Sequence, residues 1–136
     1  MKVISFFLTL SLLTACLTGC SKEGNSNETL QQRIQGEWNF QKAIEHTHNN
    51  LFNPADTYNT INGATGDYFD FRNDGKLYSK IHGYPDTIHF SVLNETQFLY
   101  DGDTATVLLI NDNAFNFYVK GYFATGYYEY TNYLVR

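Results

Sequence analysis

From Gly36 onward the apolar positions recur mostly at every second residue. In "GEWNFQKAIEHTH" the alternation places Trp38, Phe40 and Ile44 on one side and Glu37, Asn39, Gln41 and Glu45 on the other, the mark of a half-buried strand. The preceding "NETLQQRIQG" has a different period. Leu30 and Ile34 lie four apart, Asn27 stands where a helix cap is expected and Gly36 where a helix stops, so a short helix is predicted. After residue 66 strands and turns alternate at short spacing. "DYFDF" and "KLYSKIHG" flank Asn73-Asp74-Gly75; "DTIHFSVL" and "TQFLY" flank Asn94-Glu95. "TATVLLI", "AFNFYVKGYF" and "YYEYTNYLVR" follow in order. With the first strand they make eight. Such a meander predicts an eight-stranded antiparallel up-and-down barrel behind a short N-terminal helix, because closure removes exposed sheet edges. A β-sandwich is the alternative that the pattern allows.

One stretch breaks the rhythm. Asn49 to Gly66, "NNLFNPADTYNTINGATG", is rich in Asn, Thr and Gly and reads as a long loop, with Phe52 and Tyr58 as its aromatics. Structureless connections beyond about 12–15 residues are uncommon and often functional. Eight residues separate Trp38 from His46. At about 3.3 Å per residue they carry the first strand across a small barrel, so this loop is expected to cover the mouth opposite Trp38. Ile44, His46 and His48 on the rim, with Phe52 or Tyr58 as a lid, are the expected ligand contacts.

The N-terminal pattern concerns address. Lys2 precedes the apolar run Val3 to Leu17, which is shorter than the roughly 20 residues that span a bilayer, and this is the layout of a secretory signal. The run ends in "LTGC", Leu17 to Cys20, which resembles the lipobox of bacterial lipoprotein signal peptides. The resemblance implies cleavage before Cys20, acylation of its thiol and of the new amino terminus, and membrane attachment through that lipid. Three parts are expected: a signal peptide over 1–19, a flexible tether over 20–28 and a folded domain over 29–136. The tether "SKEGNSNE" is too polar to bury surface. Ser21 and the Lys22-Glu23 pair direct the expectation to the outer membrane, facing the periplasm or exposed on the surface.

Composition narrows the chemistry. Nine Lys plus Arg stand against fourteen Asp plus Glu, a net charge of −5 that argues against a nucleic-acid partner. Of two cysteines, Cys16 falls in the leader and Cys20 at the lipid site, which leaves the domain with neither disulfide framework nor thiol nucleophile. No Ser-His-Asp, Cys-His or paired-carboxylate pattern appears, so neither catalysis nor a cofactor is expected. His46 and His48 share a strand face but lack the third and fourth ligands of a metal site.

In "LQQRIQGEWNF" a short helix leads into Gly-x-Trp, which resembles the start of a lipocalin-like domain. "YFDFRNDGKL" is similar to a hairpin of bacterial lipocalin-like lipoproteins, and the terminal "YLVR" fits the same frame. The resemblance runs from about Leu30 to Arg136. It implies an eight-stranded barrel whose end is closed by Arg136 packing across Trp38. The chain lacks the lipocalin disulfide and a clear middle loop motif.

Two function classes follow. An eight-stranded barrel is just wide enough to be filled by side chains or to hold one small ligand. Strict alternation turns Trp38, Phe40, Ile44, Phe71, Phe98 and Phe117, among others, inward, and either outcome fits that set. If a pocket exists, the protein binds a small apolar or amphipathic molecule. If the core is solid, the eleven tyrosines point to an envelope adaptor, inhibitor or immunity-type protein. Its protein or glycan partner would meet an exposed platform of Tyr118, Tyr122, Tyr128 and Tyr130.

Overall fold

The computed structural model describes residues 28–136. Cys20, the leader and all of the tether but Glu28 lie outside the described residues. The chain opens with helix α1 (Leu30–Ile34), and Thr29 caps it through a capping box with Gln32. The Gln32 backbone N–H donates to the Thr29 hydroxyl oxygen at 3.4 Å, and the Thr29 N–H donates to the Gln32 side chain at 2.9 Å. Thr29, with the reciprocal Gln32, therefore takes the capping role that the sequence pattern assigned to Asn27. Leu30 and Ile34 are fully buried, so α1 seals one end of the core.

Nine strands follow: β1 (Gly36–Asn49), β2 (Asp56–Asn62), β3 (Tyr68–Phe71), β4 (Lys76–Ile81), β5 (Tyr84–Asn94), β6 (Gln97–Tyr100), β7 (Asp103–Ile110), β8 (Ala114–Phe123) and β9 (Gly126–Val135). All pairings are antiparallel, and β9 pairs back onto β1, which closes an eight-stranded barrel. The extra element is β2. It shares an edge of β1 with β3: β3 pairs with Gly36–Asn39 and β2 with Lys42–His48. Together β2 and β3 form one interrupted strand, with residues 63–67 looping out between them.

That interruption is tied down by hydrogen bonds. The Phe40 N–H donates to the Asp67 carbonyl at 3.0 Å and the Gly63 N–H to the Gln41 carbonyl at 2.7 Å. A Cβ at Gly63 would lie 2.0 Å from the Phe40 carbonyl oxygen, so only glycine fits this approach. Asp67, 3% exposed, accepts from the backbone N–H groups of Ala64 and His82, both at 2.9 Å. One buried carboxylate thus fastens the break to the β4–β5 turn.

Residues 49–66 are therefore not a loop over the mouth. They form the end of β1, a turn, and β2, an edge strand exposed along its length except at Ile61. Leu51 and Phe52 at the hairpin tip are 74% and 63% exposed.

β1 also carries a bulge. Its pairing with β9 shifts between Phe40 and Lys42, so Gln41 is an extra residue and the alternation inverts. Trp38 and Phe40 point into the core, and the next inward residue is Ala43 rather than Ile44, which is 39% exposed. The inversion puts Lys42 outside, with its ammonium 4.9 Å from the Tyr133 ring centroid.

The lower barrel is packed with aromatic rings. Phe71 meets Phe90 at 5.2 Å and Phe115 at 5.6 Å between centroids, and Phe98 meets Phe117 at 5.3 Å. At the floor Trp38 is fully buried and its indole N–H donates to the Ile34 carbonyl at 2.8 Å. The Arg136 guanidinium lies 3.9 Å from the Trp38 ring centroid and donates to the Gln35 carbonyl at 2.8 Å.

Candidate functional site

Aromatic packing stops halfway up the barrel. Above Phe40, Phe69 and Val119 lies a cavity of about 350 Å³, at the end away from Trp38. Small side chains leave this space open. Ala43 and Val119, which line it, are buried and inward-facing where the lower barrel carries phenylalanines. A Cβ on Gly121 would come within 2.2 Å of the Tyr128 ring, so glycine lets Tyr128 lie flat against the β8 backbone.

The walls are apolar, through Phe40, Ala43, Ile61, Phe69, Ile81 and Val119, and the mouth is polar. Tyr100, Tyr128 and Tyr130 turn their rings to the space, with Asp101 and Asp103 beside them. The Tyr128 hydroxyl donates to Asp103, and the Tyr130 hydroxyl donates to Glu45 at 3.0 Å. Burial and the Glu45 bond push the Tyr130 hydroxyl up to about 12. Burial, reinforced by Asp86 and Asp101, also pushes Tyr100 up. All three phenols stay protonated at neutral pH. Asp101 and Gly102 form the β6–β7 turn with φ of 51° and 93°, the left-handed pair of a tight hairpin, and this holds the Asp101 carboxylate at the mouth. Lower down, Asn132 is 6% exposed, lines the cavity and makes no side-chain hydrogen bond to another described residue.

The expected contacts lie elsewhere. Ile44, His46 and His48 point outward beyond the Gln41 bulge, Phe52 and Tyr58 are exposed, and none of the five lines the cavity. His46, His48 and Tyr58 instead meet on the outer face of β2, β1 and β9. There His46 lies between two carboxylates, 2.9 Å from Glu129 through Nδ1 and 2.9 Å from Asp56 through Nε2. Its ring stacks on Tyr58 at 4.4 Å. Asp56 and then Glu129 raise the His46 pKa above 6.5, and Asp56 also raises that of His48, which it meets at 2.8 Å. Lys120, Tyr118 and His46 hold Glu129 down to about 2. Among the described residues no group of three or more His, Cys, Asp or Glu side chains is placed to hold a metal ion.

The tyrosines divide as the alternation along β8 and β9 requires. Tyr118 and Tyr122 face outward, whereas Tyr128 and Tyr130 face the cavity, so the four do not make one platform. Tyr127 and Tyr58 take the outer places beside His48 and His46. Strict alternation counted back from Leu134 through Asn132, Tyr130 and Tyr128 is the signal that would have found this inner row.

Comparison with known proteins finds no matching family model and no matching curated relative.

Proposed function

We propose that the chain is a lipid-anchored cell-envelope lipoprotein with a lipocalin-like domain that binds a small apolar or amphipathic molecule without transforming it. The observation that carries the binding reading is the cavity of about 350 Å³ with apolar walls and a polar mouth, which falls within the roughly 300–1,000 Å³ of small-molecule sites. A solid barrel would leave no such space. The barrel closed at Trp38 by Arg136 supports the lipocalin-like reading. The "LTGC" tetrad behind a short apolar run supports the anchor.

The test is a neutral fluorescent naphthyl probe titrated into the parent protein and into a variant with Ala43→Phe and Val119→Phe, which fill the space. Binding by the parent, lost in a filled variant that keeps its circular dichroism, is the expected result. A parent that binds nothing, or a folded filled variant that binds equally well, overturns the reading.

A second reading has its own observation. Tyr58 and Tyr122 are 73% and 75% exposed and flank the ordered His46, His48 and Tyr127 on the outer face. Such a face suits a protein or glycan partner, and loss of partner capture on Tyr58→Ala with Tyr122→Ala would support it.

A further inference from the structure

The cavity has a charge as well as a shape. Two carboxylates, Asp101 and Asp103, border its mouth, and Glu45 stands behind Tyr130. No Lys, Arg or His is among its lining residues, and none of these three acids takes part in an ion pair among the described residues. Lys120, on the outer face of β8, is engaged by Glu129 at 2.8 Å. A ligand's head group therefore meets uncompensated negative charge beside three tyrosine rings, while its body meets hydrocarbon.

Resting on the pocket reading above, we infer that the ligand is an amphipathic cation, a protonated amine on an apolar chain or ring. Its ammonium sits between the Asp101 and Asp103 carboxylates against the tyrosine faces. Aromatic faces attract cations and carboxylates pair with them, whereas a fatty-acid carboxylate would be repelled at the same place. Asn132, buried beside the apolar walls, supplies one further hydrogen bond to a polar atom within the ligand body.

Three probes with one tail and different heads test this on the full chain at neutral pH: octylamine, octanol and octanoate, each displacing the neutral naphthyl probe. Octylamine should bind about tenfold more tightly than octanol, as a partly desolvated cation–aromatic and carboxylate contact implies, and octanoate should bind weakest. In the double variant Asp101→Asn with Asp103→Asn the amine's advantage over octanol should disappear while octanol still binds. Asparagine tolerates the left-handed backbone of Asp101 and keeps an acceptor for Tyr128, and octanol binding reports that the fold persists. Octanol or octanoate binding as tightly as octylamine overturns the charge assignment alone. An amine preference that survives the double variant overturns it too. If none of the probes, naphthyl included, binds, the pocket reading fails with it.

Discussion

Replacing Trp38 by alanine tests the barrel floor. The indole is fully buried, donates to the Ile34 carbonyl at 2.8 Å, packs against Phe115 at 5.5 Å and lies under the Arg136 guanidinium at 3.9 Å. Truncating a buried aromatic of this size costs about 3–5 kcal/mol, and the Ile34 carbonyl loses its side-chain donor as well. Domains of this size are stable by about 5–15 kcal/mol, so Trp38→Ala should remove a large fraction of the total. Arg136 is exposed, so the guanidinium–indole contact belongs near 0.5–1 kcal/mol. Arg136→Ala should therefore cost about 1 kcal/mol. Urea denaturation followed by far-ultraviolet circular dichroism measures both. A double-mutant cycle isolates the coupling, with about 0.5–1 kcal/mol expected. Trp38 is the single tryptophan, so native emission reports its burial directly. A loss below about 1 kcal/mol for Trp38→Ala, or emission typical of a water-exposed indole, would refute the reasoning.

Gly63→Ala should destabilise the domain severely, because its Cβ would collide with the Phe40 carbonyl oxygen at 2.0 Å; a thermal melt indistinguishable from the parent's would count against the strand-break geometry. Asp67→Ala should cost about 1–3 kcal/mol by leaving two backbone donors unpaired, and amide exchange should accelerate at Ala64 and His82. The outer cluster should be pH-dependent on both sides. The folded pKa values of His46 and His48 lie above 6.5, so their contribution is present in full below pH 6.5 and is lost as pH rises through the folded values. Glu129 is held near 2 against an ordinary 4.5, so its contribution is complete above pH 4.5 and is lost as pH falls toward 2. The β1–β2 hairpin should therefore be best protected between those limits, and imidazole resonances of His46 titrating at or below 6.5 would contradict this. Cys20→Ser should move the protein from the membrane fraction to the soluble fraction, and an intact mass without acyl chains in the parent would reject the anchor.

Much of the barrel was legible because its strands are half-buried and its hairpins carry turn residues. Phe69 with Phe71, and Phe115, Phe117 with Val119, alternate cleanly, and the turns at Asn73–Gly75 and Asp101–Gly102 fall where Asn, Asp and Gly cluster. Strand β2 was hidden for a physical reason. It pairs with β1 but turns only Ile61 toward the interior, so Thr57, Tyr58 and Thr60 show β-forming residues but no apolar alternation. The bulge at Gln41 turned the upper part of β1 over. Strict period two carried Ile44 inward and set His46 and His48 on the rim beyond it, although it also placed the charge of Lys42 between Phe40 and Ile44 on the core side, a conflict that a bulge resolves. The cavity was not legible, because it depends on Ala43 and Val119, which face it together from strands far apart in sequence.

The proposed binding site is the upper cavity. Its most direct test is an amide-resolved nuclear magnetic resonance titration of the mature chain with the neutral naphthyl probe. Saturable shifts should centre on Ala43, Val119, Tyr130 and Asn132, with Tyr58 and Tyr122 unmoved. Shifts confined to Tyr58, Tyr122 and Tyr127 on the outer face, with none at Ala43 or Asn132, would contradict it.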